Sequence, residues 1–472
     1  MKNISFLTVI VLLMSFTQQD TPSTAGAIDS LELDLEILES LGYQYDDGAP
    51  GHEIWKDLRC RFIKRGCSAV PVLTELYLTH ENWIVRSHVA TILGDIGDIQ
   101  AVPVLITGLT KPQNTRGGES IDALVRMAPA SVPYLLEAFI NGDAELRYQV
   151  TYALSEIDDL GESEELQQFV PGLFILFDEL WREDAPCCYR NWVGDKIRRC
   201  VKDILVRIGQ PSFAGFICRL YHEDSGIRMQ SAACLGEMQE PAAVDELIIL
   251  AEQDPHPDVR LNAIFSLGKI GDERAVPCLK GILFTPSPND LDCGIAAKVL
   301  ADLLGKQAAP DLVRALEQVT KCYHIRDITI ALGSIRYGES LEPLMRGLEF
   351  RKKNQIDIWQ ASMLALGRSR NPDALPIILE ELDSDDRYKR EIALAALHEL
   401  RQESAIPVML AMAEDSDIGI ARCAVIYVME ITDTREIWPS TLGNDREKIR
   451  EIAEILQDMY DAGELAIKLS SR

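Results

Sequence analysis

Apolar and polar positions follow one another along this chain with the spacing of short amphipathic helices. The clearest example runs from Asp258 to Leu279, where Val259, Ala263 and Leu267 recur at helical intervals. Side chains at these intervals share one side of a helix. The pattern therefore predicts a helix with a single apolar face.

Three residues mark the end of that helix and the start of the next. Gly271 can take the left-handed conformation that a helix end needs. Asp272 can accept hydrogen bonds from the exposed N–H groups that follow. Pro277 suits the first turn of a second helix, where no amide donor is required. The stretch therefore predicts two helices joined by a tight turn.

The same phrase recurs at intervals of 30 to 34 residues, with one interval of 51 residues. In five of the repeats a Leu of the first helix is followed ten residues later by the Pro of the second. These pairs include Leu93 and Pro103, Leu267 and Pro277, Leu300 and Pro310, Leu366 and Pro376, and Leu397 and Pro407. One helix pair cannot bury its apolar face alone, whereas stacked pairs share a continuous core. About twelve units therefore predict a stack of helix pairs.

Seven of the repeats carry an arginine seven residues before the anchoring apolar residue. These are Arg86, Arg147, Arg198, Arg228, Arg260, Arg390 and Arg422. A cation at the start of a helix is unfavourable for the helix dipole. We therefore expect these arginines to pair with an acid of the neighbouring repeat and to form a structural ladder along the stack.

The phrase VR-x-x-A-x-x-LG-x-IGD-x-x-AVP-x-L resembles the HEAT repeat, in the short form found in phycobilisome lyase-like proteins. The best matches are Val85–Leu105, Ile227–Leu247 and Val259–Leu279, and the resemblance covers about residues 54 to 460. It implies an all-α fold, a right-handed, armadillo-like α-solenoid of about twelve helix pairs. It also implies that the Arg-bearing helices line the concave face.

The charge balance limits the choice of partners. The chain has 74 acidic and 47 basic residues, and its net charge is −27. Nucleic-acid binding depends on Lys and Arg replacing counterions, so a nucleic acid is not expected as a partner. A protein with a basic surface is favoured, although an acidic surface can also serve solubility alone.

The N-terminus has the pattern of a signal peptide over residues 1–27. Lys2 precedes the apolar run Ile4–Phe16, and the small residues 25–27 offer a cleavage site. The run is thirteen residues long, whereas a spanning helix needs about 20. We expect an exported protein, periplasmic or secreted, with no membrane insertion of the mature chain. An uncleaved anchor is the alternative.

The mature chain is predicted to have three parts. Residues 28–53 form an N-terminal capping helix and a linker, 54–440 the solenoid, and 441–472 a C-terminal capping helix. The longer interval places an insertion at about 158–195. Eleven cysteines are present, and one disulfide among Cys187, Cys188 and Cys200 is possible.

The insertion is rich in aromatic residues. Trp181, Tyr189, Arg190 and Trp192 are candidate protein-binding residues there, because aromatic side chains and Arg dominate binding hot spots. Insertions in solenoids also tend to lie on one face, often the binding face. The other interpretation is that these aromatics fill a gap beside an overlong helix.

The sequence contains no common catalytic motif. It holds no His-Glu-x-x-His, Cys-x-x-Cys or Gly-x-Ser-x-Gly motif and no dinucleotide-binding glycine loop. Four histidines precede a Glu, but they do not share matching positions in neighbouring repeats. No catalytic residue, metal ligand or cofactor is therefore predicted.

The sequence favours a non-enzymatic scaffold that binds another protein along its concave face. Candidate contacts follow the Arg of their repeats; they are Tyr148, Gln149, Met229, Gln230 and Asn262, with Ser87, His88 and Leu261 at equivalent positions. The alternative is a lyase-like or ligand-carrying protein with a pocket near the 158–195 insertion.

Overall fold

The structure, a computed structural model, describes most of the chain. It describes residues 24–41, 50–110, 118–158, 160, 166–182, 192–285, 291–319, 321–339, 341–350, 355–434, 443–465 and 467. Within these ranges the secondary structure is helical, with turns between the helices and no β-strand. The described residues divide into two compact units, Met1–Gly215 and Phe216–Arg472.

Unit 1 contains ten α-helices among its described residues, and an eleventh helix spans the boundary with unit 2. They are α1 (Thr24–Leu41), α2 (Pro50–Arg65), α3 (Val70–Thr79), α4 (Trp83–Ile96), α5 (Val102–Thr107), α6 (Gly118–Arg126), α7 (Val132–Asn141), α8 (Ala144–Glu156), α9 (Val170–Trp181), α10 (Trp192–Ile208) and the boundary helix α11 (Gln210–Arg219).

Unit 2 continues with the same alternation of helices. They are α12 (Ser225–Met238), α13 (Val244–Gln253), α14 (Pro257–Ile270), α15 (Val276–Phe284), α16 (Leu291–Leu304), α17 (Ala309–Gln318), α18 (Cys322–Ser334), α19 (Glu342–Met345), α20 (Ile356–Arg368), α21 (Ala374–Leu382), α22 (Arg387–Leu400), α23 (Ile406–Ala411), α24 (Ile418–Thr432) and α25 (Arg446–Asp461).

Each unit has two layers of helices. The first helices of successive pairs contact one another, as α2, α4, α6, α8 and α10 in unit 1 and the even-numbered helices α12 to α24 in unit 2. The second helices form the other layer, where α3 contacts α5 and α13 contacts α15. Stacked pairs of this kind define an all-α solenoid. The predicted fold class is therefore confirmed.

The turn between the two helices of a pair follows the predicted chemistry. Gly271 has a φ of 76° and ends α14 in the left-handed region. The Asp272 carboxylate accepts a hydrogen bond from the N–H of Arg274 at 2.9 Å. A short 3₁₀ turn follows, and Pro277 then lies in the first turn of α15. These residues fix the direction of the second helix of the pair relative to the first.

Small residues let successive first helices approach closely. A Cβ added to Gly94 of α4 would lie 2.7 Å from the Ala123 Cα in α6. At Gly367 of α20, it would lie 2.3 Å from the Ala396 carbonyl oxygen in α22. Any side chain at these positions would push the neighbouring helix away. The recurring Leu-Gly pair therefore sets the spacing between repeats.

Some helix boundaries differ from the sequence expectation. The segment expected to be a linker up to residue 53 already forms the start of α2, because Pro50 is favourable in the first turn of a helix. In the insertion, a 3₁₀ turn Gln167–Phe169 precedes α9, whose first turn contains Pro171. The C-terminal helix α25 begins after Asp445, whose side chain accepts from the Glu447 N–H.

Candidate functional site

Three arginines of unit 2 bind carbonyl groups of the linker that precedes their own helix. Arg228 donates from Nη1 to the carbonyl oxygens of His222 and Glu223, at 2.8 and 2.9 Å. Arg260 donates to the carbonyl oxygen of Asp254, the residue that ends α13, at 2.9 Å. The end of a helix is its negative pole. The C-terminal end of the preceding helix therefore attracts the guanidinium group, which offsets the unfavourable position of the Arg at the start of its own helix.

The same arginines also pair with an acid that follows their repeat; Asp254 and Asp415 lie in linkers, and Asp292 lies in the first turn of α16. The pairs are Arg228–Asp254 (2.7 and 3.0 Å), Arg260–Asp292 (3.0 Å) and Arg390–Asp415 (2.8 and 3.0 Å). The three Asp side chains are at most 5% exposed. Asp254 binds Arg228 through its carboxylate and Arg260 through its carbonyl group. One linker residue thus connects two successive first helices.

The carboxylates of this ladder respond differently to their surroundings. Burial raises the pKa of Asp292, although Arg260 acts in the opposite direction. Burial also acts to raise the pKa of Asp415, but hydrogen bonds from Arg390 and from the Asp417 N–H outweigh it and lower that pKa. In both pairs the guanidinium group is occupied within the chain. These arginines therefore stabilise the stack and are not available to a partner.

The other four arginines of the predicted ladder have different partners. Arg147 lies 3.5 Å from Glu179, and Arg198 binds Asp195 of its own helix at 2.6 Å. Arg86 donates to the carbonyl oxygens of His80 and Glu81, both at 2.8 Å. Arg422 donates to the Asn444 side chain at 2.9 Å. The acid-linked ladder is therefore restricted to part of the chain. After Arg86, residues 108–117 hold no Asp or Glu, and the first acid of the next first helix is Glu119.

The residues that follow these arginines differ in their exposure. Met229, Gln230 and Asn262 are partly exposed, as expected for a binding surface. The Asn262 amide also donates to a carbonyl group of its own helix at 2.9 Å. By contrast, Gln149 is 8% exposed and donates to Glu145 at 3.0 Å. Gln149 therefore supports α8 from within.

His88 is also placed in the core and not on a binding surface. It is 6% exposed, and its ring stacks on Trp55 with centroids 4.2 Å apart. Burial lowers the pKa of His88 to about 4, against a smaller opposing effect of Glu119. The equivalent positions Ser87 and Leu261 are partly exposed. The imidazole of His88 is therefore neutral at physiological pH.

An aromatic cluster forms where α8 and α10 lie side by side. Tyr148 meets Trp192 edge to face, with ring centroids 5.3 Å apart, and its hydroxyl lies 2.6 Å from the Tyr152 hydroxyl. The Lys196 ammonium group donates to the Tyr152 hydroxyl at 2.8 Å and lies 4.4 Å from the centre of that ring. Trp192 is 63% exposed. Two candidate residues, Tyr148 and Trp192, are thus brought together.

A groove with a volume of about 480 Å³ continues from this cluster between α8 and α10. It is open to solvent and lies beside the insertion. Its lining is Thr151, Tyr152, Leu154, Ser155, Lys196, Arg199, Cys200, Asp203, Ile204, Val206 and Arg207. We call this feature the α8–α10 groove.

The α8–α10 groove is locally basic on an acidic protein. Helix α10 carries five basic and two acidic residues, which gives it a net charge of +3. Lys196 and Arg199 are exposed, and neither forms a salt bridge with a described residue. Arg207 donates to the carbonyl oxygens of Ile157, at 2.9 Å, and Asp158. Three cations therefore face the groove without a carboxylate partner in the part of the chain described.

The remaining candidates near the insertion have other surroundings. Trp181 stacks on Phe177 with centroids 4.7 Å apart, which places it in packing within α9. Tyr189 and Arg190 lie outside the described residues. Cys200 forms no disulfide with another described cysteine, and burial raises the pKa of its thiol. A protonated thiol is a poor nucleophile. Cys187 and Cys188 also fall outside the described ranges.

A larger, acidic groove of about 810 Å³ lies among the second helices of unit 2. Its lining includes Glu317, Glu342, Glu349, Glu380 and Glu381. Glu381 is 5% exposed and lies 3.6 Å from Lys389. Arg346 donates to the carbonyl oxygens of Leu316 and Val319. Glu381 and Arg346 of this groove thus have partners within the chain, and none of the described candidate residues from the sequence lines it. The α8–α10 groove is therefore the better candidate site.

Two further properties bear on the site. Within the described ranges, no three His, Cys, Asp or Glu side chains are grouped so that they could hold a metal ion. None of the helices in those ranges has the length and apolar character needed to cross a bilayer.

Comparison with known proteins supports the repeat. The family model described as HEAT repeats matches residues 60–124 and 213–292. A comparison with curated proteins finds no match. The complex of CpcE and CpcF of phycocyanin lyase from Nostoc sp. PCC7120 is 22% identical over 52% of this chain and 94% of that chain, with a TM-score of 0.32. The predicted HEAT-type repeat is confirmed by the family match.

Two structures of Kap121p resemble this fold over more of its length. Kap121p bound to Ste12p is 11% identical over 89% of this chain, with a TM-score of 0.54. A Kap121p mutant is 13% identical over 94% of this chain, with a TM-score of 0.53. This chain spans 53% and 58% of those two chains. At such identities the similarity extends to the fold alone.

Sequence reasoning did not find Tyr152, Lys196, Arg199 or Arg207. Tyr152 and Lys196 are 44 residues apart and meet only because α10 packs against α8. A signal was nevertheless present, since α10 is a basic stretch in an acidic chain. The partners of a stacked helix lie outside any local sequence window.

Proposed function

On the premise that this chain is a HEAT-repeat protein, we propose that it is a non-enzymatic scaffold that binds another protein through the exposed side of its first helices. Stacked repeats offer an extended surface on which many weak contacts add up. The net charge of −27 favours a partner with a basic surface.

The observation that carries this proposal is the exposed aromatic cluster beside the α8–α10 groove. Trp192 is 63% exposed and is held in place by its contact with Tyr148. A rigid aromatic side chain contributes contact area at a low cost in conformational entropy. Trp and Tyr are also the residues that most often dominate protein-binding energy. Within unit 2, the partly exposed Met229, Gln230 and Asn262 are further candidate contact residues.

A ligand-carrying or lyase-like role is the second candidate. It is favoured by the position of the α8–α10 groove, which lies next to the insertion as that role requires. Carriers of small ligands usually enclose most of the ligand surface, whereas this groove is open to solvent. Its cysteine also has a raised pKa because of burial. The groove therefore supports a protein contact better than a reacting centre.

Affinity capture with matched variants tests the scaffold proposal. The bait is the chain without residues 1–27, and captured proteins are quantified by mass spectrometry. Trp192→Ala should lose a specific partner that the wild type captures. Trp83→Ala is the control, because Trp83 is also exposed (44%) and is likewise the first residue of a first helix. A variant lacking residues 158–192 tests the whole insertion.

The results separate the candidates. Loss of one partner in Trp192→Ala, with no loss in Trp83→Ala, supports a recognition surface at α8 and α10. Identical capture by all three variants would leave the insertion and its aromatics as packing, and would contradict the proposal.

We also infer that the protein is exported through its N-terminal segment. The support is the apolar run Ile4–Phe16 and the small residues that follow it. When the full-length chain is expressed, the protein recovered from the periplasm or the medium should begin at Ile28, as determined by N-terminal sequencing. Recovery of the intact chain from the membrane fraction would favour an uncleaved anchor. Intact chain in the cytosol would contradict export.

A further inference from the structure

We propose that the α8–α10 groove binds a short acidic segment of the partner protein, with its carboxylates on Lys196, Arg199 and Arg207 and an apolar side chain against Trp192. This inference rests on the proposed scaffold function and names the chemistry of the segment bound at that site. The net charge of the whole chain favours a partner with a basic surface, whereas the cations of this groove favour an acidic segment of that partner.

The three cations carry the argument because acids are abundant elsewhere in this chain. The chain has 74 acidic and 47 basic residues, and several of its bases pair with an acid, as Arg198 does with Asp195 at 2.6 Å. Lys196 and Arg199 have no such partner among the described residues. Among the described residues, the Arg207 side chain binds backbone carbonyl oxygens and no carboxylate. In that part of the chain, the three cations of the groove thus have no carboxylate partner.

The aromatic cluster orients the Lys196 side chain. Its ammonium group lies 4.4 Å from the centre of the Tyr152 ring and 5.8 Å from the centres of the Tyr148 and Trp192 rings. An ammonium group over aromatic rings is attracted by their π faces and keeps donors for a further acceptor. A carboxylate bound there would contact both the ammonium group and the edge of the aromatic cluster.

The size of the basic surface favours a short peptide over a nucleic acid. Duplex DNA carries one charge per about 1.7 Å along its axis, so it would extend far beyond three cations. Among the described residues that line the groove, Asp203 is the one acidic residue, beside Lys196, Arg199 and Arg207. A long polyanion would extend beyond these three cations onto an acidic protein, whereas a peptide with two or three carboxylates needs only the three cations.

Fluorescence anisotropy with labelled probes tests this inference on the chain without residues 1–27. The first probe is a fluorescein-labelled peptide in which Glu alternates with Phe. The second has Lys in place of Glu, and the third is a labelled oligothymidylate of similar length. The acidic peptide should bind, and its affinity should fall when the salt concentration rises from about 0.05 M to about 0.5 M, because salt screens exposed charges.

Variants assign the binding to the groove. Arg199→Glu should weaken binding of the acidic peptide by roughly tenfold, because it replaces an attraction with a repulsion. Lys298→Glu is the matched control, since Lys298 is exposed on the first helix α16 of unit 2; it should have no effect. Trp192→Phe should retain binding but abolish the part of the tryptophan emission change that reports on the groove. Circular dichroism checks that each variant is folded.

The outcomes distinguish this inference from the scaffold proposal. Binding of the acidic peptide that Arg199→Glu weakens and Lys298→Glu does not would support the inference. Equal weakening by both charge reversals, or binding of the oligothymidylate or the Lys peptide in its place, would overturn it. If a protein partner is captured in a Trp192-dependent manner but no acidic peptide binds, the acidic segment is ruled out while the scaffold function stands.

Discussion

The buried pair Arg228–Asp254 should contribute much more to stability than an exposed pair of the same geometry. Arg228 and Asp254 are 11% and 3% exposed and lie 2.7 Å apart. The pair Arg387–Asp417 is nearly as close, at 2.8 Å, but its side chains are 62% and 28% exposed. The perturbation is Arg228→Met, with Arg387→Met as the matched control.

The magnitude follows from what each substitution leaves behind. Arg228→Met leaves the Asp254 carboxylate buried without its guanidinium partner and removes the donors to His222 and Glu223. Removing one partner of a buried pair costs about 3–5 kcal/mol. Arg387→Met removes an exposed pair, which is worth about 0–1 kcal/mol.

Hydrogen exchange followed by mass spectrometry measures this locally. It reports the free energy of opening for individual segments, which suits a repeat protein whose units open separately. Protection in α12 and α14 should fall in Arg228→Met, and protection in α22 should change little in Arg387→Met. The double variant Arg228→Met with Asp254→Leu should regain part of the loss, because it buries no unpaired charge. An equal loss in the two single variants would refute the reasoning.

The remaining predictions concern packing and pH. Gly367→Ala should destabilise unit 2 by about 1–3 kcal/mol, because the new Cβ would lie 2.3 Å from the Ala396 carbonyl oxygen. Gly281→Ala is the control, because a Cβ there would have no atom within 4 Å, and it should stabilise unit 2 by about 0.5–1 kcal/mol. Urea unfolding measures both changes in the free energy of unfolding. For His88, the pKa of about 4 lies below the unfolded value of 6.5, so the unfolded chain binds the proton first as the pH falls. Stability near His88 should therefore fall by about 2–3 kcal/mol between about pH 7.5 and about pH 4.5, as followed by Trp55 fluorescence in urea. His88→Phe should lose that pH dependence, and a dependence retained in this variant would assign it to other groups.

Much of the fold was predictable because each repeat carries its own local signals. Gly271, Asp272 and Pro277 act where they stand, so their roles follow from backbone geometry alone. The same signals are weaker in other repeats. Gln239 and Arg401 take the left-handed position with φ of 52° and 53°, although a side chain is unfavourable there. Packing between helices therefore fixes those helix ends.

The ladder was predictable only in outline. The recurrence of the arginines indicated a structural role, but their partners depend on where each following linker places an acid. Asp254 lies in the following linker and Asp292 in the first turn of α16, and both pair with an arginine. Residues 108–117 after Arg86 hold no acid. The spacing of a repeat predicts a contact, and the local position of an acid determines whether the contact is an ion pair.

The candidate site was the least predictable part of the chain. Trp192 and Tyr148 were identified by residue type and position, yet their contact across 44 residues required the packing of α8 against α10. Conversely, His88 and Gln149 have the polar character expected of a binding face but are buried. The same position, two residues after the Arg, is buried at His88 and Gln149 but partly exposed at Gln230 and Asn262. Packing around each helix therefore decides exposure, and position in the repeat alone does not.

The double use of Asp254 has a consequence for how such a chain can grow. Its carboxylate serves the repeat before it and its carbonyl group serves the repeat after it, so this linker supplies one acceptor in each direction. Where repeats share this arrangement, duplicating or losing one whole repeat keeps each acceptor matched to an arginine. An insertion of another length leaves a guanidinium group or a carboxylate unmatched. Lineages of this protein should therefore change length in steps of one module.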